Sequence, residues 1–315
     1  MVRKLIFIYV LVLIPLFSIA QYKWDFGGGI GAANYLGDIG GKTEKTRQNF
    51  IKDLVPSQTH PAVTLFARKR LYPSISLKIH GSYGRISGYD SLSLNPGRFC
   101  RNLSFRNDLM ELGLQGEFYI YQINDLGHGF KYRNDFKLYL FAGAAVLYHN
   151  PKAFIGGNWV ALQPLGTEGQ GVLPGTQKYG LFQATLPVGA GFYFTLDKVN
   201  RIGWELGWRS TFTDYLDDVS TTYASPEVFK GNQTAIDLAN RTYTVDRKNS
   251  TMELPSVNSY APGEKRGDPS HNDSYIFSTI TYSYVIKGKS KFGKKRYNTY
   301  FKKNKYKRRK IRAKF

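Results

Sequence analysis

The stretch Arg201-Ile202-Gly203-Trp204-Glu205-Leu206-Gly207-Trp208-Arg209-Ser210-Thr211-Phe212 decides the fold. Its large apolar residues, Ile202, Trp204, Leu206 and Trp208, fall on every second position, with Arg201, Gly203, Glu205, Gly207 and Arg209 between them. Successive side chains of a β-strand point to opposite faces, so one face of this strand suits hydrocarbon while the other carries charge and glycine. Strands of about ten residues with that alternation are the signature of a barrel that crosses a membrane with its apolar face toward lipid.

The same pattern recurs on both sides. In residues 179–194, Phe182, Ala184, Leu186, Val188, Ala190, Phe192 and Phe194 alternate with Gln183, Thr185, Gly189 and Gly191. In residues 109–121, Met110, Leu112, Leu114, Phe118 and Ile120 alternate with Glu111, Gln115 and Glu117. Residues 23–36, 62–71, 74–86, 136–148 and 274–286 complete a set of eight candidate strands; in the last, both faces are mixed and the lipid face stays unassigned. Pro187 lacks a ladder donor and is expected at a bulge.

The links between these strands alternate in length. Short turns fall at 71–74, 122–135 and 195–200, and long polar links at 37–60, 87–107, 149–178 and 213–273. Outer-membrane barrels have short periplasmic turns and long external loops. The expectation is therefore an all-β, eight-stranded antiparallel transmembrane barrel with long extracellular loops and both mature termini in the periplasm.

Arg3 and Lys4 precede an apolar run over residues 5–17 and the small-residue pattern Ser18-Ile19-Ala20, which reads as a secretory signal peptide over residues 1–20. The run is shorter than a membrane-spanning helix needs. Gln21, not Cys, follows, so no thiol is offered for a lipid anchor. The barrel is assigned to 21–286 and a basic tail to 287–315.

The net charge is +21, and fifteen Lys and Arg with no Asp or Glu lie in that tail. The candidate partner-binding residues are Lys294, Lys295, Arg296, Lys302, Lys303, Lys307, Arg308, Arg309 and Lys310. In a cytosolic protein such a tail suggests nucleic acid; behind a signal peptide it points to an acidic protein face or to anionic lipid headgroups.

Nothing in the sequence forms a catalytic or cofactor site. Five histidines, at 60, 80, 128, 149 and 271, lack metal-ligand spacing, and no metal or cofactor is expected. His80, near Ser76 and Ser82, would lie on the lumen side of its strand, away from a lipid ester. Gly27, Gly28, Gly29 and Gly31 lie in a strand pattern, whereas a dinucleotide loop needs a helix at once behind the strand. The lone Cys100 can form no internal disulfide. On these parities Asp25, Glu111, Glu117 and Glu205 point inward with Arg68, Lys78, Lys137 and Arg209, which implies a compensated, filled lumen and no diffusion pore.

Five further stretches carry a family resemblance. They are Asn34-Tyr35-Leu36-Gly37-Asp38-Ile39-Gly40, Tyr83-Gly84-Arg85-Ile86-Ser87-Gly88, Arg101-Asn102-Leu103-Ser104-Phe105-Arg106-Asn107, Leu162-Gln163-Pro164-Leu165-Gly166-Thr167-Glu168-Gly169-Gln170-Gly171 and Thr211-Phe212-Thr213-Asp214-Tyr215-Leu216-Asp217-Asp218-Val219-Ser220. The chain resembles the PorG family, outer-membrane barrel components of the type IX secretion system. The resemblance implies a non-enzymatic role, tying a periplasmic ring of PorK-like and PorN-like proteins to the outer membrane. The motif-bearing loops would then be external or rim surface, with loop-on-loop packing as the plain reason for Gly37, Asp38, Pro164, Gly166, Asp217 and Asp218. Two other readings are a lipid-modifying barrel enzyme and a small-solute channel.

Overall fold

The computed structural model describes residues 24–41, 56–123, 135–196, 199–247, 250 and 253–286. The expected signal peptide and the basic tail, with its nine candidate cations, lie outside the described residues. Among the described residues ten strands form: β1 (Trp24–Leu36), β2 (His60–Tyr72), β3 (Ile75–Tyr89), β4 (Ser104–Ile123), β5 (Asp135–Tyr148), β6 (Lys152–Ile155), β7 (Asn158–Ala161), β8 (Phe182–Leu196), β9 (Asn200–Thr211) and β10 (Ser274–Ile286). Among the described residues two short helices, α1 (Pro96–Arg101) and α2 (Gln233–Ala239), lie in connections.

Eight of the strands, all but β6 and β7, pair antiparallel in chain order. The ring closes where β1 meets β10 along their whole length, from Trp24 opposite Ile286 to Leu36 opposite Ser274. This is the eight-stranded closed barrel that the alternation predicts. The mixed faces of β10 are resolved by the pairing: Tyr275, Phe277, Thr279, Ser283 and Val285 are buried inside, while Ile280, Tyr282, Tyr284 and Ile286 are exposed outside.

Two expectations change. Pro187 makes no bulge: β8 holds one register against β9 through Leu186–Ser210, Pro187–Arg209 and Val188–Trp208. Toward β5 the pairing stops at Ala142–Val188 and resumes on the same register at Ala145–Thr185. The missing N–H thus costs a gap in one ladder, with no extra residue inserted. The link expected at 87–107 is shorter, 90–103, because β3 and β4 pair from Ile75–Phe118 as far as Tyr89–Ser104. Arg85, Arg106, Asn107 and Asp108 break the apolar alternation there because that part of the ribbon rises above the apolar wall.

The wall is marked by aromatic residues at two levels. Trp24, Tyr72, Tyr121 and Tyr284 are exposed at the end where β1 begins and β10 finishes, and Phe136 packs on Phe194 with ring centroids 4.9 Å apart. At the other level Tyr83 pairs with Met110, Met110 with Tyr148, and Tyr148 with Phe182. From Met110 to Tyr121 along tilted β4 the wall is roughly 25–30 Å high, the height of a lipid-facing band flanked by aromatic girdles. Between the girdles Ile30, Leu65, Leu112, Leu114, Leu140, Val146 and Ile280 are exposed. A closed barrel leaves no backbone edge unpaired, so such a wall meets the requirement for spanning hydrocarbon.

The described parts of four connections cover the end where β1 finishes and β10 begins: loop 1 (37–41 and 56–59), loop 2 (90–103, with α1), loop 3 (149–181, with hairpin β6–β7) and loop 4 (212–247, 250 and 253–273, with α2). They share one apolar core with the barrel mouth, in which Tyr35, Ile39, Ile86, Phe105, Leu109, Leu147, Leu216, Val219, Leu238 and Tyr275 pack together. The loops are therefore a folded lid.

Candidate functional site

The lumen is filled by its own side chains. Arg68 reaches Asp25 at 3.0 Å and Glu117 at 2.7 Å, Arg201 reaches Asp25 at 2.5 Å, and Lys78 reaches Glu205 at 2.5 Å. Tyr139 adds a hydroxyl bond to Glu205 at 2.9 Å. Nearer the lid, Glu111 accepts from Tyr275 and lies 2.8 Å from His80 and 3.6 Å from Arg209. Lys137 is buried 5.2 Å from the ring of Tyr119. Charge taken from water costs several kcal/mol per ion, so each of the four carboxylates is matched to an opposite charge within a few ångströms.

All eight inward residues named from sequence parity are buried in this network. Arg201 belongs there as well and was missed; it shares the parity of Glu205 and Arg209, which was the signal. The histidine and serines that a hydrolase would use are committed elsewhere. His80 pairs with Glu111, Ser82 with Thr64 at 2.9 Å, and Ser76 with Tyr119 at 2.7 Å.

The lid is built differently, around two buried arginines. Arg101, at the end of α1, holds Asp90 through Nε and Nη2 at 2.7 and 3.0 Å, and donates to the carbonyls of Arg266 and Asp38 at 2.5 and 2.8 Å. Arg266 donates to Glu168 at 2.9 Å and to the carbonyls of Asp218 and Ala239 at 2.6 and 3.2 Å. Loops 1, 2, 3 and 4 are thereby joined through two guanidinium groups, whose planar array of donors suits several acceptors at once.

The carboxylates of the lid mostly cap backbone N–H groups of other loops. Glu168 of loop 3 accepts from the N–H groups of Ser220 and Thr221 and from the Thr221 hydroxyl. Asp90 accepts from the N–H groups of Gly40 and Leu103, Asp38 from that of Asp268, and Asp217 from those of Ile39 and Val219. Asp218 takes the left-handed backbone form, φ 69°, and accepts from the hydroxyls of Thr167 and Tyr179. Gly37 has no room for a Cβ, which would meet the Tyr35 hydroxyl and Asp273.

Loop-on-loop packing thus accounts for Gly37, Asp38, Asp217 and Asp218, whereas Gly166, at φ 62°, answers to its own loop, where a Cβ would meet the Gln170 carbonyl. Asp38, Asp217 and Asp218 are buried and accept hydrogen bonds from other lid residues. Pro164 remains exposed, and its carbonyl accepts from Lys178 at 2.7 Å. Arg266 lies in none of the motif stretches, and only the folded lid identifies it.

The lid holds protons that free carboxyls release. The Tyr35 hydroxyl lies 2.7 Å from Asp217 Oδ2 and 2.8 Å from Asp273 Oδ1, and accepts from the Asp38 N–H at 3.0 Å. The two carboxyls share one phenol donor, and burial favours the protonated form of both. Burial first, then the charge of Asp38, pushes Asp217 up to about 7; burial and the neighbouring Asp217, Asp214 and Asp38 raise Asp273 in the same direction. Burial also raises Asp218, to about 6, against the pull of Arg266. His149, stacked on Tyr179, is held down to about 4 by burial.

Closed strand order, a lipid-facing wall, a filled lumen and a folded lid define an outer-membrane-type β-barrel. Residues 3–158 match the model of one family, described as a domain of unknown function, DUF6089. None of the curated proteins matches the chain. Among solved structures, the chain is similar to the Yersinia pestis attachment invasion locus protein Ail in complex with the heparin analogue sucrose octasulfate, at 10% identity and a TM-score of 0.34, covering 85% of this chain and 100% of that one. It is similar also to Neisserial surface protein A, at 8% identity and a TM-score of 0.33, covering 84% of this chain and 97% of the other.

Proposed function

We propose that this chain is a non-enzymatic outer-membrane anchor that couples the periplasmic ring of a type IX secretion machine to the membrane. The observation that carries the reading is where the five stretches resembling the PorG family go. Tyr35, Asp38, Arg101, Glu168, Asp217 and Asp218, drawn from four of them, join in one buried lid core. Their chemistry is spent on holding loops together, as suits a scaffold. A lumen blocked by paired side chains supports the same reading over conduction. On this reading the loops face outward, both termini face the periplasm, and the tail cations from Lys294 to Lys310 meet the ring or the inner-leaflet lipid.

The test is affinity purification of the full-length protein after crosslinking in intact membranes. Ring proteins of the PorK and PorN type are expected among the crosslinked partners. Their absence, or hydrolysis of phospholipid by the purified protein, would overturn the proposal.

A further inference from the structure

The hairpin β6–β7 is amphipathic across its width. Ala153 and Val160, paired with each other, pack into the shared core of lid and barrel. Phe154 and Trp159, the next pair, face away with 47% and 38% of their surface exposed and their rings 5.4 Å apart. The hairpin hangs on β4 at Arg106, opposite Lys152. Arg106 is four residues beyond Met110 on the same outward parity of β4, so it stands roughly 10 Å above the aromatic edge of the apolar wall. Soluble surface at that height gives no reason to display two large aromatic rings, whereas the interfacial layer of a membrane favours them.

Cations gather around the rings. Arg106 lies over Trp159, with its Cζ 4.4 Å from the ring centroid. Arg85 points outward from β3 and meets Asp108 at 2.6 Å, and Arg106 meets the other oxygen of Asp108 at 3.4 Å. Arg241 arrives from loop 4, donating to Ser104 and to the carbonyl of Phe154 at 2.8 and 3.0 Å. With Lys152, opposite Arg106 in the ladder, these make four cations along this rim, two of which meet Asp108, and the lipid-facing wall begins below them at Met110. An acidic protein partner would explain the charge; it would not explain why the patch begins where the apolar wall ends.

We propose that the outward face of β6–β7, with the adjoining rim of β3 and β4, seats the phosphate-bearing headgroup of a lipid in the leaflet nearest the lid. Arg85 and Arg106, oriented by Asp108, present N–H donors to phosphate oxygens. Phe154 and Trp159 enter the boundary between headgroup and acyl chain. The inference rests on the reading of the chain as an outer-membrane barrel, and it is independent of any secretion partner.

The test uses the detergent-purified full chain and counts bound lipid by native mass spectrometry. The probes are lipid A with its two phosphates, the same lipid dephosphorylated, and inorganic phosphate as competitor. Phosphorylated lipid A is expected to be retained, with apparent affinity falling about five-fold for each cation removed, in Lys152→Gln and then in the pair Arg85→Gln and Arg106→Gln. A heat-modifiable gel shift shows that each variant is folded, and Lys152→Gln, which breaks no ion pair described above, serves if the paired variant fails that control. Equal retention of dephosphorylated lipid would overturn the phosphate seat, as would unchanged affinity in folded variants. Full competition by inorganic phosphate would overturn the lipid assignment in favour of a simple anion site. Because the measurement is made in detergent, loss of ring association leaves its outcome unaffected.

Discussion

The lumen and the lid both bury many charges, yet they balance them in opposite ways. Among the described residues the lumen holds Asp25, Glu111, Glu117 and Glu205 against Arg68, Lys78, Lys137, Arg201 and Arg209. The lid buries Asp38, Asp90, Glu168, Asp214, Asp217, Asp218 and Asp273 against Arg101 and Arg266. Charge in the lumen is therefore met by opposite charge on neighbouring strands. The acidic excess of the lid is met by backbone N–H groups, hydroxyls and retained protons. Rigid strands can place two ionic side chains face to face, whereas irregular loops leave backbone donors unpaired, and carboxylates satisfy them.

The largest effect is expected from Glu205→Ala, which leaves Lys78 with only Glu117, 4.0 Å away. Removing one member of a buried pair costs about 3–5 kcal/mol. The urea midpoint for loss of the unboiled gel form should fall, while loop 4 stays protected from protease. Loss of the lid in the folded variant would show that the two networks are one.

Glu168→Ala should do the converse. It takes from Arg266 its nearer carboxylate, leaving Asp218 at 3.9 Å and two carbonyls, strands the N–H groups of Ser220 and Thr221, and opens loop 4 by about 3 kcal/mol. Limited proteolysis should then cut within loop 4 in a barrel that still migrates as folded. An unchanged cleavage pattern would remove Glu168 from its place as the clasp between loops 3 and 4.

A smaller effect separates the two regions by pH. Asp217 is raised to about 7 in the folded lid from an ordinary value of 3.8. The folded state thus holds a proton that the unfolded loop releases, and the contribution is full below about pH 4 and lost as pH rises through about 7. His149, lowered to about 4 from 6.5, has the opposite slope, confined to the range below 6.5. Between pH 6.5 and 7.5, hydrogen exchange of loop 4, corrected for its intrinsic rate, should therefore report the aspartates. Protection should fall across that interval, and fall less in Asp217→Asn. A slope unchanged by the substitution would move the proton to another group.

The barrel was legible because its physics is periodic. Ile202, Trp204, Leu206 and Trp208 must all face lipid, and the pleat makes that a two-residue repeat. The lid has no such repeat, so the fact that Arg101, Glu168 and Arg266 meet could not be read from their spacing. Hairpin β6–β7 did carry a local signal that went unread. Its strands are separated by Gly156-Gly157, both at positive φ, 56° and 83°, the two-residue turn that glycine permits. Each strand is four residues long, too short for alternation to stand out within a long polar link.

The central claim, that the barrel is an anchor whose contacts lie on the terminal side, is tested most directly by a stop after Ile286. This removes the basic tail and none of the paired strands. The account predicts that the truncated barrel still inserts and keeps its heat-modifiable form, while co-purification of the ring proteins falls, and that the full-length contact weakens as salt screens it over about 8 Å at physiological ionic strength. Ring association and secretion that stay intact at every salt concentration after truncation would contradict it.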